Sequence, residues 1–217
     1  MISLLFQNPV AFIIIAALLV MALSVHEFAH AFAAEKLGDP TPKLMGRLTL
    51  NPKAHLDPVG TMLLLVAGFG WGRPVPFDPF NLRNPKRDAA VISFAGPLSN
   101  LVMALVSAIL IRIFISLADF PLSGFLTEIL GLFLYFNIIL AVFNLMPVSP
   151  LDGFKVVAGL LPEKYYRDWM ELERYGVIFL LLLIFPFFGS SAILKVISPI
   201  VSFIMSVLLP GSPGDFI

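Results

Sequence analysis

The segment His26-Glu27-Phe28-Ala29-His30 carries two imidazoles four residues apart, with a carboxylate between them. On a helix, positions i and i+4 share one face, so both rings can reach a single cation. Glu27 is rotated by about one-third of a turn and can hold a proton beside that cation. Two neutral imidazoles suit Zn²⁺, and a catalytic zinc keeps one position open for a water that it acidifies towards neutrality. The chemistry implied is hydrolysis of a peptide carbonyl, with Glu27 carrying the proton. The plainer reading of the same five residues is a packed polar pair, or a chance match, in an otherwise apolar helix.

A catalytic zinc takes a third protein ligand. The chain has no Cys and only three His, so the ligand must be a carboxylate or His55. The run Phe143-Asn144-Leu145-Met146-Pro147-Val148-Ser149-Pro150-Leu151-Asp152-Gly153 offers Asp152. Its prolines halt the preceding helix, and Gly153 permits a tight turn after the carboxylate. Asp152 can complete a His₂-carboxylate site; alternatively it caps the next helix. His55 stands in a loop, outside helical spacing from the other two. It reads as a hydrogen-bonding residue, with Asp57 a candidate partner, because a fourth protein ligand would displace the water.

These residues must be positioned by an unusual chain. Of 217 residues, 59% are hydrophobic and 13% charged, and the mean hydropathy is +0.94. Soluble domains are about half apolar and about a quarter charged, so the natural solvent here is lipid. Zero net charge gives no reason to expect nucleic acid. No Lys or Arg precedes the first apolar run, so it does not read as a cleaved leader. The expected fold is all-α and polytopic: a single membrane-embedded domain over 1–217 with four to six transmembrane or partly spanning helices. Helices are predicted at about 10–36, 89–117, 125–147, 175–188 and 191–209. The last two share one apolar stretch that would reach roughly 50 Å as a single helix, against a hydrocarbon core of about 30 Å. Pro186, Gly189, Ser190 and Ser191 are expected to divide it.

Region 37–88 is rich in Pro and Gly and reads as cytoplasmic and re-entrant, with a dip into the membrane over Val59 to Trp71. Within it, Gly46-Arg47-Leu48-Thr49-Leu50 alternates like a short membrane-associated β-strand or hairpin stopped by Asn51-Pro52. Twelve of the 14 Lys and Arg fall between Glu35 and Asp88 or in the 151–174 loop. The loop near Asp119 to Thr127 has none. Alternating helices place both basic regions on one side, the cytoplasm, and the N-terminus outside. If Lys36 marks the interface, His26 lies about 15 Å inside the membrane, where ionisable groups are costly and need partners.

The motifs, taken in order, resemble the site-2 protease family of intramembrane zinc metalloproteases. His26–His30 is followed by Ala95-Gly96-Pro97-Leu98-Ser99-Asn100, then by Asn144-x-x-Pro147-x-x-Pro150-Leu151-Asp152-Gly153. Arg47 through Pro52 and His55 through Thr61 look like the short bacterial and archaeal branch. The outer loops leave no room for a PDZ-like domain, and Pro210 to Ile217 none for nucleotide-sensing domains. The resemblance implies that His26, His30 and Asp152 ligate one zinc and that Glu27 is general base and acid. It implies that Asn144 holds the substrate carbonyl, a buried structural amide being the competing reading. Gly96, Pro97 and Asn100 would fix helix packing, and the 46–50 strand would pair with an unwound substrate. The implied substrate is a single-span membrane protein in the lipid bilayer of the cell, cut at a site facing the cytoplasm, with accessory membrane proteins as candidate partners. Trp71 and Trp169 fit interfacial anchors. A non-proteolytic metal-binding transporter or scaffold is the alternative.

Overall fold

The computed structural model describes residues 2–67, 70–117, 120–185 and 192–209. Ten α-helices occur among them: α1 (Ile2–Gln7), α2 (Pro9–Leu37), α3 (Thr41–Leu44), α4 (Pro58–Ala67), α5 (Pro85–Ser116), α6 (Ser123–Asn144), α7 (Asp152–Leu160), α8 (Glu163–Glu171), α9 (Gly176–Ile184) and α10 (Ala192–Leu208). Three of these, α2, α5 and α6, are long and apolar enough to cross a membrane. The residues expected to divide the last apolar stretch, Pro186 through Ser191, lie outside the described residues, as do Asp119 and the tail from Pro210.

Local chemistry sets the helix ends. Asn8 caps α2 by accepting from the Ala11 amide, with Pro9 at the first helical position. Gly38 closes α2 at φ 106°, a left-handed conformation that suits a residue without Cβ. The second long helix starts before its apolar run. Asn84 accepts from the Arg87 amide and Asp88 reaches back to the Asn84 amide, so α5 begins at Pro85. At its far end α6 stops at Asn144, since Pro147 disfavours helical geometry at the residue before it.

The predicted strand over Gly46–Leu50 does not form. No strand occurs among the described residues, and an isolated antiparallel bridge joins Leu56 to Gly72. The backbone groups of 46–50 are used locally. Gly46 turns at φ 70°, the Arg47 amide donates to Pro42, the Thr49 amide donates to Arg47, and the Thr49 carbonyl accepts from His55. The buried Arg47 guanidinium donates to the carbonyls of Ala54 and Pro74. A loop that spends the amides of Gly46, Arg47 and Thr49 and the carbonyls of Arg47 and Thr49 on local partners is not arranged as a strand.

Helix α5 is the centre of the bundle, packing against α6, α2 and α7. Small residues let the long helices approach: Ala22, Ala34, Ala104, Ala108 and Ala141 are fully buried. The outer faces carry Val10, Ile13, Val102, Leu105, Ile109 and Ile113 exposed, a surface that fits hydrocarbon and not water. The short α4 begins where Asp57 accepts from the Gly60 amide, and its 10 residues cannot cross a bilayer.

Below α2, the fully buried Asp39 ties the helix end to the following loops. Its carboxylate accepts from the Thr41 amide and hydroxyl, the Asn81 side chain and the Asp78 amide. Burial alone would raise its pKa, but these donors outweigh burial and hold it below the usual carboxylate range. A depressed native pKa contributes stability above the unfolded value of about 3.9, and that contribution is lost as pH falls below it. Asp39→Ala should therefore cost on the order of 2 kcal/mol at neutral pH, measured as thermal stability in detergent. The gap between wild type and variant should narrow as pH drops from about 5 to about 3. A gap independent of pH would contradict the assignment.

Candidate metal centre

His26 and His30 stand on consecutive turns of α2 with their Nε2 atoms 3.0 Å apart. Asp152, at the first position of α7, brings Oδ2 to 3.2 Å from His26 Nε2 and 3.3 Å from His30 Nε2. Both imidazoles are buried, and Oδ2 has no hydrogen-bond partner. The proton positions follow from the opposite edges of the rings. His30 Nδ1 lies 2.7 Å from the Ile92 carbonyl, which only accepts, so Nδ1 carries the hydrogen. His26 Nδ1 lies 2.6 Å from Asn100 Oδ1 and donates likewise. In their neutral form, with Nδ1 donating, the two rings turn bare Nε2 lone pairs towards the same point as the Asp152 carboxylate oxygen.

Three electron-pair donors so placed are spaced to share one cation. Ligands bonded at about 2.0–2.2 Å around a tetrahedral zinc are themselves about 3.3 Å apart, the separation seen here. The group could hold a metal ion, and its all-N/O donor set suits zinc. Asp152 does not cap α7. Leu151 is the capping residue and makes no side-chain cap bond.

Glycines let the elements close on this point. A Cβ at Gly96 would collide with the rings of His30 and His26, so α5 passes directly beneath the imidazoles. Gly96 thus makes room for the site itself, a closer role than the helix packing expected from sequence. Next to it, Pro97 removes the amide that would bond the Ser93 carbonyl, and in this same turn the Ile92 carbonyl accepts from His30. Gly153 does not provide a tight turn, because it sits inside α7 without positive φ. It is needed because a Cβ there would strike the Leu145 and Met146 carbonyls.

The remaining sequence candidates divide. Glu27 is buried beside His26 and His30, and its Oε2 accepts from the Val75 amide at 3.2 Å. Asn144 donates to the Leu140 carbonyl of its own helix at 2.9 Å. His55 is fully buried and donates from Nε2 to Thr49. Its partner is not Asp57, which caps α4. Asn100 was expected only to pack helices, yet it accepts from His26. Sequence reasoning missed Asn137, fully buried at 0% exposure on α6 and bonded to Asn100 at 2.8 Å. The available signal was an amide in the middle of a lipid-length apolar helix.

The chain is 40% identical over 172 residues to "Putative zinc metalloprotease YwhC" of Bacillus subtilis, covering 77% of this chain and 78% of that protein. It is 31% identical over 182 residues to "Putative zinc metalloprotease Rip2" of Mycolicibacterium smegmatis, covering 81% and 68%. It is 24% identical over 160 residues to "Zinc metalloprotease MJ0392" of Methanocaldococcus jannaschii, covering 73% and 38%. No protein-family model matches the chain, and no solved structure matches it. The chain belongs to the site-2 protease family of zinc metalloproteases. It is a membrane metalloprotease hydrolase whose cofactor is zinc.

Gly96→Ala should lower zinc affinity by about tenfold or more, because the imidazoles must move to admit the methyl group. Competition with a chromogenic chelator measures this directly. Wild-type affinity in a folded Gly96→Ala chain would contradict the packing described.

Proposed function

We propose that this chain is an intramembrane zinc endopeptidase that hydrolyses peptide bonds in or near the transmembrane segments of other membrane proteins. The observation that carries the reading is the convergence of His26, His30 and Asp152 at one buried point between apolar helices. His26, His30 and Asp152 would hold the zinc. Zinc held there supplies an acidified water and polarises the scissile carbonyl.

The chain's own residues do the rest. The Val75 amide fixes Oε2 of Glu27, and the other oxygen takes a proton from water and delivers it to the leaving amine. Asn144 is assigned the substrate carbonyl, exchanging its bond to Leu140 for one to substrate. A helical substrate hides its carbonyls in its own hydrogen bonds, so cleavage requires an extended stretch, and helix-breaking residues near the cut favour it. The substrate class is single-span proteins that enter laterally from the bilayer, with accessory membrane proteins as candidates for controlling entry.

The concentration of Lys and Arg between Glu35 and Asp88 and in the 151–174 loop supports a multi-pass protein of the cell membrane. In this orientation the site faces the cytoplasm and the N-terminus lies outside.

Glu27→Gln decides between hydrolysis and simple metal handling. The variant should keep about one zinc per chain and lose about 10²–10⁴-fold in cleavage of single-span fusion proteins reconstituted with it in liposomes. Cleavage at the wild-type rate, or loss of the metal, would overturn the role given to Glu27. A wild-type chain that holds zinc and cuts none of a broad substrate panel would favour the transporter or scaffold alternative.

A further inference from the structure

Three side chains link three helices in a single directed line. The amide of Asn137 on α6 donates from Nδ2 to the Phe133 carbonyl at 2.8 Å. A carbonyl only accepts, so this bond fixes which end of the Asn137 amide faces Asn100. Asn137 Oδ1 accepts from Asn100 Nδ2 at 2.8 Å, and Asn100 Oδ1 accepts from His26 Nδ1 at 2.6 Å. Asn100 Nδ2 also approaches the Ala22 carbonyl, at the longer distance of 3.4 Å. Asn100 and Asn137 are both fully buried.

We infer that Asn137 is a positioning residue for the zinc site, acting through Asn100 to fix the tautomer of His26. The reason lies in the symmetry of an amide. Asn100 could turn either end towards His26, and the two orientations have opposite effects. With Oδ1 facing the ring, Nδ1 carries the hydrogen and Nε2 offers its lone pair to the metal. With the NH₂ facing the ring, Nδ1 must accept and Nε2 carries the hydrogen, which blocks ligation. Asn137 Oδ1 selects the first orientation, and the Phe133 carbonyl selects the orientation of Asn137. A backbone carbonyl of α6 thus sets the protonation of a side chain on α2. Neither amide could be buried in an apolar bundle unpaired without a large penalty.

The inference rests on the reading of His26 as a zinc ligand, and the test separates the two. Zinc affinity is measured by chelator competition on the full-length chain in detergent, with no substrate needed. Asn137→Leu, close in volume, should weaken zinc binding by about 10- to 100-fold, as loss of support for a ligand typically does. Asn137→Thr should stay near wild type, because its hydroxyl can donate to the Phe133 carbonyl one turn back and accept from Asn100. In an Asn100→Asp background both carboxylate oxygens accept, so His26 has its acceptor whichever way the side chain turns. Asn137→Leu should then have no effect on zinc affinity. An equal loss in both backgrounds would mean that Asn137 only packs, and the inference fails. Should Asn137→Leu not fold, a loss in Asn137→Thr as large as 10-fold would overturn it instead. Wild type without zinc would remove the underlying reading, not this step alone.

Discussion

Two imidazole nitrogens and a carboxylate oxygen face one another at 3.0 to 3.3 Å. Left alone, these lone pairs repel, and the apolar surroundings give them no water to turn to. A divalent cation between them would turn that repulsion into attraction. The rest of the fold can be understood as the scaffold that keeps these atoms together although they come from opposite parts of the sequence.

That scaffold is centred on α5, which touches every element bearing on the site. Along its length it supplies the gap at Gly96, the Ile92 carbonyl for His30 and the Asn100 amide for His26. Its N-terminal turn also anchors the helix that carries Asp152. Gly159 of α7 lies so close to Ala90 that a Cβ could not fit, and Lys86 donates to the Leu161 carbonyl at 2.7 Å. Trp169 then clasps α8 to α7, its indole donating to the Phe154 carbonyl while the rings stack at 5.1 Å. Asp152 is therefore held by an apparatus that owes little to its own helix, which has only 9 residues.

The chemistry was more legible in the sequence than the architecture around it. His26 and His30 are placed by helix periodicity alone, and Asp152 is marked by the prolines that end α6. Long apolar runs announce α2, α5 and α6 because a lipid-length helix leaves a simple signature. Region 46–50 misled because alternation of apolar residues reports faces, not partners. Part of its backbone is taken up by Arg47, His55 and the turn at Gly46, which only the folded chain brings together. Asn137 escaped notice for a related reason. Its role depends on bonds across 37 and 74 residues of sequence, and no local pattern encodes those.

The central claim is that one zinc is held jointly by α2 and α7. Elemental analysis of purified wild type and Asp152→Ala tests it most directly. The account predicts about one zinc per chain in the wild type and its loss in the variant, with helical content unchanged. Equal zinc in both proteins would contradict it, placing the third ligand elsewhere, with the buried His55 the first residue to examine.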